Sequence, residues 1–158
     1  MDDHHLQSTL THTCPLTESQ YYLVIRTAMH MKTALYRTLH QSGLGVTPEQ
    51  WSVLSCLWHA DGQYHSELAT KTGRDKFTIS RIVSLLEKKG LVFSRPDPKD
   101  KRRSNVFLSQ SGQTLHKPVT EIVEKFSSDL FAGLSNEDIA ELRRLLEHIV
   151  ANIHKRTP

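Results

Sequence analysis

A mainly α-helical fold is predicted by the spacing of apolar residues in this 158-residue chain. Towards both ends of the sequence, apolar residues recur every three or four positions, which is typical of amphipathic helices. In the middle, two short helical patterns are joined by a turn that contains glycine, and two strand-like runs follow with a charged loop between them. We therefore expect helices at both ends and a compact unit with a small hairpin between them.

The first predicted helix covers residues 18–40 and follows a polar, aperiodic segment, residues 1–17, that we expect to be a flexible arm. Its apolar face carries Val24, Ala28, Met31, Leu35 and Leu39. A second helix is expected after Thr47, because Thr47 can cap a helix, Pro48 suits its first position and Gln50 completes a capping box.

Two helices joined by a tight turn are predicted between residues 66 and 89. The first is short and ends at Gly73, whereas the second begins at Asp75, a residue type that caps helices well. The apolar residues of the second helix share one face, and the polar and basic residues of its first turns lie outside that face. The apolar set is Ile79, Ile82, Val83 and Leu86. This is the helix-turn-helix pattern.

Two strand-like runs, residues 91–95 and 104–108, predict a hairpin with a long charged tip, which after a helix-turn-helix is a wing. The same part of the chain is basic: residues 71–103 carry 11 Lys or Arg and four Asp or Glu, a net charge of +7, whereas the rest of the chain has a net charge of −4. A basic segment between acidic ends favours a polyanionic partner. The alternative is a solvated charged surface without a partner.

The C-terminal part returns to helical spacing after residue 109, and Pro118 is expected to bend this helix or delay its start. Ser135, with Asp138 three positions later, is expected to cap a last helix. The apolar residues of that helix follow a three-four spacing, as in helices that pack on other helices. They are Ile139, Leu142, Leu146, Ile149 and Ile153.

A homodimer is expected because one N-terminal helix cannot easily cover the apolar stripes of both C-terminal helices. Residues 18–45 and 110–158 of two chains would intertwine as a helical dimerisation region, and residues 46–109 would form the winged helix-turn-helix unit. A twofold dimer would present two such units to two half-sites on a nucleic acid.

Other classes of protein are disfavoured by the sequence. There is no apolar run long enough to span a membrane and no secretory signal, so we expect a cytoplasmic protein without a membrane partner. The chain lacks a glycine-rich phosphate loop, a Cys-x-x-Cys motif, a nucleophile elbow and a His-Glu-x-x-His motif, so we expect neither an enzyme nor a cofactor. The ten histidines show no metal-ligand spacing.

Residues 75–112 resemble the MarR (multiple antibiotic resistance regulator) family of transcription factors, and the similarity extends over roughly residues 20–155. The matching motifs are VTPEQWSVL at 46–54, Leu86-Glu87-Lys88-Lys89-Gly90-Leu91, Arg95 with Asp100-Lys101-Arg102, and Leu108-Ser109-Gln110-Ser111-Gly112. The chain departs from the family pattern at Ser109, usually Thr, and at Phe77, more often a small or polar residue. The resemblance implies a sequence-specific regulator of double-stranded DNA: a homodimeric repressor that binds a pseudo-palindromic operator and is released by a small molecule.

The resemblance also implies that the helix beginning at Asp75 lies in the major groove of DNA. The candidate contacts are Lys76, Phe77, Thr78, Ser80, Arg81 and Ser84. Arg81 is the best candidate for a base contact, because a guanidinium can bind O6 and N7 of guanine together. Phe77 is expected either to contact a thymine methyl group or to pack against the neighbouring helix. The amides near His65 and Ser66, at the positive end of the short helix, are expected to bind a phosphate.

In the wing, the resemblance implies that Arg102 enters the minor groove, where A·T-rich sequences have enhanced negative potential. Lys99, Lys101 and Arg103 are expected to contact phosphates, although Arg103 rather than Arg102 is the alternative for the deeper contact. Asp100 would repel phosphate, so we expect it to hold Arg102 or a backbone donor in position.

The trigger of regulation is left open by the sequence. Many relatives release DNA when a small anionic aromatic molecule binds between the dimer helices and the winged unit. Candidates to bind such a molecule are Arg26, His30, Trp51 and Trp58, with the alternative that both tryptophans are core residues. Oxidation of Cys14 or Cys56 and metal binding are the alternative triggers, and a winged-helix protein that binds only proteins is the remaining alternative.

Overall fold

The computed structural model describes residues 19–100 and 103–156, and these residues form seven helices and three strands. The helices are α1 (Gln20–Gln41), α2 (Pro48–His59), α3 (His65–Thr72), α4 (Lys76–Lys88), α5 (Gln110–Thr114), α6 (His116–Leu130) and α7 (Asn136–Arg156). The strands are β1 (Gln63–Tyr64), β2 (Val92–Pro96) and β3 (Ser104–Leu108). The predicted mainly helical fold is confirmed, whereas the expected arm at residues 1–17 lies outside the described residues.

The sheet has the strand order β1-β3-β2, and both pairs are antiparallel. The predicted hairpin is confirmed, with Val92 opposite Leu108 and Arg95 opposite Asn105. Strand β1 was not predicted, because two residues are too few to show the alternation that marks a strand. It pairs Gln63 with Val106 and so connects the wing to the beginning of α3.

The hydrophobic core lies inside the winged unit. Apolar residues of α2, α3, α4 and the sheet are buried there, and the predicted apolar face of α4 is buried as a whole. The fully buried large side chains are Leu39, Leu54, Leu57, Leu68, Ile79, Leu86, Val53, Val83, Val106 and Val119. Leu39 near the end of α1 and Val119 near the start of α6 join this core, so α1 and α6 are each anchored to the winged unit near one end.

The predicted start of α2 is confirmed by a complete capping box. The Thr47 amide donates to Gln50 Oε1 and the Gln50 amide donates to Thr47 Oγ1, each at 3.3 Å. Lys89, at the end of α4, donates from Nζ to the same Gln50 oxygen at 2.8 Å and to the Gly45 carbonyl at 2.5 Å. The end of α4 is thereby connected to the start of α2.

Two further predictions concern the C-terminal helices, and both are confirmed. The helix interrupts at Leu115 and restarts as α6, with Pro118 in its first turn, because proline has no amide to continue the preceding hydrogen-bond ladder. Before α7, the Ser135 amide donates to Asp138 Oδ2 at 2.9 Å and the Asp138 amide donates to Ser135 Oγ at 3.1 Å. This pair satisfies two backbone donors at the helix start.

A close backbone contact joins the wing to α5. A Cβ atom placed on Gly112 would lie 2.0 Å from the Leu91 carbonyl oxygen, so only glycine fits there. The Trp58 indole donates from Nε1 to the Gly112 carbonyl at 3.0 Å. The Ser109 hydroxyl accepts from the Gly112 amide at 3.0 Å and donates to the Gly90 carbonyl at 2.6 Å. The end of α4, the wing and α5 are therefore held together at one junction.

Helices α1 and α7 carry large apolar side chains that are exposed to solvent. On α1 they are Tyr21, Leu23, Val24, Ile25, Met29 and Tyr36, and on α7 they are Leu142, Leu145, Leu146, Ile149, Val150 and Ile153. Within α7 no side chain that the structure describes is buried. In the described part of the chain, neither these helices nor the shorter ones combine the length and apolarity needed to cross a bilayer.

Replacing Gly112 with alanine is expected to destabilise the fold, because the added methyl group would overlap the Leu91 carbonyl. The free energy of unfolding should fall by about 1–3 kcal/mol, the usual effect of forcing extra atoms into a packed site. Thermal unfolding followed by circular dichroism measures this. Ser111→Ala, in the same short helix at an exposed position, is the control and should leave the midpoint nearly unchanged. Equal midpoints for the two variants would contradict the close approach of Gly112 to Leu91.

Candidate nucleic-acid interface

The turn between α3 and α4 fixes the start of α4. Gly73 ends α3 with a positive φ of 64°, and Asp75 caps α4. The Asp75 carboxylate accepts from the Thr78 amide at 2.8 Å and from the Thr78 hydroxyl at 2.6 Å. These bonds, the hydroxyl's first, lower the pKa of Asp75. Because the Thr78 proton is directed at Asp75, Thr78 supports the helix start and has only acceptor lone pairs left for DNA.

The face of α4 opposite the core is exposed. It carries five of the six predicted DNA-contacting residues of this helix: Lys76, Phe77, Ser80, Arg81 and Ser84. Phe77 is 89% exposed and therefore does not pack against the neighbouring helix. Neither Lys76 nor Arg81 forms an ion pair or hydrogen bond with any residue in the described ranges. Their charges are available to an external anion.

The base of the wing is organised by Asp97, which is only 8% exposed. Its carboxylate accepts hydrogen bonds from the Tyr64 hydroxyl, from the Lys99 amide at 2.6 Å and from the Asp100 amide at 3.4 Å. The bond from Tyr64, and then the amide bonds, lower the pKa of Asp97, and the same bond raises the pKa of Tyr64. The Asp97 amide donates to the Arg103 carbonyl at 2.8 Å and closes the wing.

Asp97 was not predicted from the sequence as a functional residue. A usable signal was present, because an aspartate between two prolines commonly accepts a bond from the amide two residues on, as Asp97 does from Lys99. We assigned a supporting role to the Asp100 side chain instead, and that role stays a prediction. The Asp100 backbone carbonyl accepts from the Arg103 amide at 2.9 Å.

Arg103 is held over the ring of Tyr64, with its guanidinium carbon 3.7 Å from the ring centroid. This cation–π contact places a wing cation beside the start of α3. The other two wing cations of the motif, Lys101 and Arg102, lie outside the described residues, and Lys99 is exposed. The structure therefore describes one of the two arginines considered for the deeper contact.

A cleft of about 390 Å³ brings together three sets of residues that are separate in sequence. Its lining comes from the start of α3, the first turns of α4 and the wing: Tyr64, His65, Ser66, Lys76, Ser80, Arg103 and Ser104. Two cations thus face one concave surface at the N-terminal end of α3, where backbone amides carry partial positive charge. Such a surface can hold an anion of the size of a phosphate group.

Some basic residues of the segment 71–103 contact other residues of the chain. Lys71 Nζ donates to the buried Gln63 side chain at 2.6 Å, and Lys89 bridges to α2. The Arg95 guanidinium stacks 4.9 Å above the Phe93 ring. These three cations are thereby held by neutral groups of the chain, so the cations around the cleft and on α4 are the ones placed for direct contact with a partner.

The four residues predicted for an effector site lie in different surroundings. Arg26 and His30 are exposed on α1, and the Arg26 guanidinium is 5.8 Å from the Tyr22 ring centroid. Trp51 packs against the core, and Trp58 bonds to Gly112 and stacks on His116 at 4.9 Å. A cleft of about 360 Å³ between α1 and α2 is lined by other residues: Met29, Lys32, Thr33, Tyr36, Pro48 and Glu49. The effector site stays a prediction.

The described residues bear in part on the alternative triggers, cysteine oxidation and metal binding. Cys56 is half-buried, and burial raises the pKa of its thiol, which lowers the fraction of reactive thiolate. Cys14 lies outside the described residues. Within residues 19–100 and 103–156, no group of three or more His, Cys, Asp or Glu side chains is placed to hold a metal ion.

Known proteins resemble this chain in sequence and in fold. The model of the MarR family matches residues 46–104. YdgJ of Bacillus subtilis (strain 168), named as an uncharacterised HTH-type transcriptional regulator, is 31% identical over 109 residues, which are 69% of this chain and 64% of YdgJ. The HTH-type transcriptional repressor IacR of Pseudomonas putida is 28% identical over 104 residues, which are 66% of this chain and 62% of IacR. The chain thus spans less than two thirds of the length of these curated relatives.

A solved structure, the S. aureus MepR–DNA complex, has a TM-score of 0.77 with this chain at 27% identity. The match covers 85% of this chain and 98% of the MepR chain, so it includes the terminal helices as well as the winged unit. The family match, the relatives and the common fold agree with the motifs found in the wing and at its two ends. The winged unit, residues 46–104, matches the MarR family, and the chain has the fold of MarR-family transcriptional regulators.

Proposed function

We propose that the protein is a homodimeric repressor that binds a pseudo-palindromic operator in double-stranded DNA. The observation that carries this proposal is the cleft in which Lys76 of α4 and Arg103 of the wing face the N-terminal end of α3. A DNA backbone bound there would bring the exposed face of α4 to the major groove. The DNA in the MepR complex, whose chain has the same fold, supports the choice of partner.

Within this proposal the contacts divide into two groups. Lys76, Arg103 and the amides of His65 and Ser66 bind phosphates and fix the position of the protein on DNA. Arg81 contacts a guanine edge, and Ser80 and Ser84 lie on the same face for further base or phosphate contacts. The wing cations Lys99 and Lys101 add phosphate contacts, and Arg102 enters the minor groove.

The proposed dimer follows from the apolar side chains left exposed on α1 and α7. Exposed apolar area of this extent on two long helices is typical of an interface between protein chains. Two copies related by a twofold axis would cover it and would place two α4 helices on two half-sites about one turn of DNA apart.

Release from DNA is proposed to follow binding of a small anionic aromatic molecule near Arg26, His30, Trp51 and Trp58, between α1 and the winged unit. Oxidation of Cys56 is the weaker alternative, because burial raises the pKa of its thiol. We further propose that the protein acts in the cytoplasm.

Removing single cations should separate the two groups of contacts. For an operator selected from a random DNA pool, Lys76→Ala and Arg103→Ala should weaken binding to all duplexes. Each should flatten the slope of log affinity against log salt by about 1 for every phosphate that the variant no longer binds. Arg81→Ala should weaken specific binding by about 1–3 kcal/mol and leave non-specific binding nearly unchanged. Fluorescence anisotropy over a salt series measures both.

For the unmodified dimer we expect a salt slope on the order of −6 or steeper, as six or more phosphate contacts require. Lys125→Ala, an exposed cation on α6 far along the chain from the cleft, is the matched control and should change neither quantity. A flat salt response would instead show that the basic segment is only a solvated surface.

Tyr64→Phe should weaken operator binding, because it removes the donor to Asp97 that fixes the wing relative to α3, while leaving an aromatic ring at position 64. It should also reduce the acid sensitivity of the fold. The folded-state pKa of Asp97 is lowered, so its stabilising effect is complete above the ordinary aspartate pKa of about 3.9 and is lost as pH falls through the folded-state value. Urea unfolding from pH 7 to pH 3 should therefore show a smaller loss of stability in the variant. Parallel pH curves for the two proteins would contradict this role of Asp97.

Charge placed on the apolar stripe of α7 should prevent dimerisation. Ile149→Asp should yield a monomer in sedimentation equilibrium, because a carboxylate cannot be desolvated in an apolar interface without a partner. Ala151→Asp adds the same charge about half a helical turn away, outside the stripe, and should remain dimeric. A dimeric Ile149→Asp protein would place the interface elsewhere.

A further inference from the structure

We infer that Phe77 recognises the 5-methyl group of a thymine in each operator half-site. The inference rests on the proposed DNA-binding function and deepens it, because it names a base that the face of α4 selects and the side chain that selects it.

Phe77 is exposed to an extent that folding does not explain. The ring is 89% exposed at the second residue of α4, whereas the apolar residues on the other side of the helix are buried. A phenylalanine ring left in water forgoes the stabilisation that burial gives. The start of α4 is already secured by the bonds between Asp75 and Thr78, in which the Phe77 ring takes no part.

Phe77 is aligned with the other exposed residues of α4. Phe77, Ser80, Arg81 and Ser84 lie at positions i, i+3, i+4 and i+7, which form one face of a helix. Phe77 is at the N-terminal end of that face. In helix-turn-helix proteins the N-terminal residues of the second helix contact the edges of bases.

The charge around Phe77 identifies the occupant of this face. Lys76 and Arg81 lie on either side of Phe77 along the helix, and neither has an ionic partner among the described residues. An apolar protein or lipid surface would leave both charges uncompensated, whereas DNA supplies phosphates beside an apolar group. In the major groove that apolar group is the thymine methyl, which Phe can contact.

The residues next to Phe77 have other roles. The Thr78 hydroxyl donates to Asp75, and Lys76 lines the cleft that is proposed to bind the DNA backbone. Among the first three residues of α4, Phe77 is therefore the one whose side chain is committed neither to the protein nor to a phosphate. The Phe77 ring would therefore distinguish thymine from other bases at one base pair by van der Waals contact rather than by hydrogen bonding.

The test compares thymine with uracil, which pairs identically and lacks only the methyl group. The probe is the tightest-binding duplex selected from a random pool by the full chain, with each thymine replaced in turn by deoxyuridine. At one thymine per half-site the dissociation constant of the unmodified protein should rise about fourfold, the effect of one buried methyl-sized group. Phe77→Ala should bind the thymine duplex about as weakly as the unmodified protein binds the uracil duplex, or more weakly, and should not distinguish the two.

The matched control is Leu85→Ala, which shortens a partly exposed apolar residue near the other end of α4 and should keep the preference for thymine. Thermal unfolding of Phe77→Ala should match that of the unmodified protein, since the ring makes no buried contact. The inference is overturned if no thymine shows the effect, or if Phe77→Ala retains it. Failure to select any duplex would contradict the proposed function itself, and this inference with it, whereas specific binding that ignores the methyl group contradicts this inference alone.

Discussion

The bond from the Tyr64 hydroxyl to the Asp97 carboxylate joins residues 33 positions apart, and the candidate interface depends on it. Tyr64 belongs to β1 and directly precedes α3, whereas Asp97 follows the last residue of β2. The bond therefore fixes the wing relative to the helix-turn-helix. It also keeps the Tyr64 ring beneath the guanidinium of Arg103, so a wing cation and the start of α3 face the same cleft. A carboxylate inside a basic segment thus organises the cations around it.

A second constraint connects this surface to the terminal helices. At the Gly112–Leu91 contact, α5 touches the backbone directly before β2, and Trp58 of α2 bonds to the same glycine. Displacement of α5 would therefore be transmitted to the base of the wing. A molecule bound between α1 and the winged unit would act on α2 and α6, both of which border this junction. The arrangement gives the proposed release from DNA a physical basis in shared contacts.

The sequence predicted features whose cause is local. The caps at Thr47, Asp75 and Ser135 each depend on residues within three positions, and the interruption before Pro118 depends on one missing amide. The apolar face of α4 was predicted because residues three and four positions apart lie on the same side of a helix. The same reasoning found the residues of the candidate interface as three separate groups, at the start of α3, on α4 and in the wing. The family resemblance supplied their expected positions on DNA.

Features that depend on contacts distant in sequence were not predicted. Strand β1 exists because Gln63 and Tyr64 pair with β3, more than 40 positions away. The roles of Lys71 and Lys89 were missed because their partners, Gln63 and Gln50, belong to other elements. The net charge of residues 71–103 counts all their cations alike, whereas some of these cations contact other residues of the chain. The exposure of Phe77 was left open for the same reason, since it depends on where the neighbouring helix passes.

The central claim is that α4, the start of α3 and the base of the wing form one DNA-binding surface. Amide hydrogen exchange, measured by mass spectrometry with and without the selected duplex, tests it most directly. We expect DNA to slow exchange in peptides that contain residues 64–66, 76–84 and 103–104, with little change in the second half of α7. Slowing confined to α1, α6 or α7, with none in these three segments, would contradict the claim.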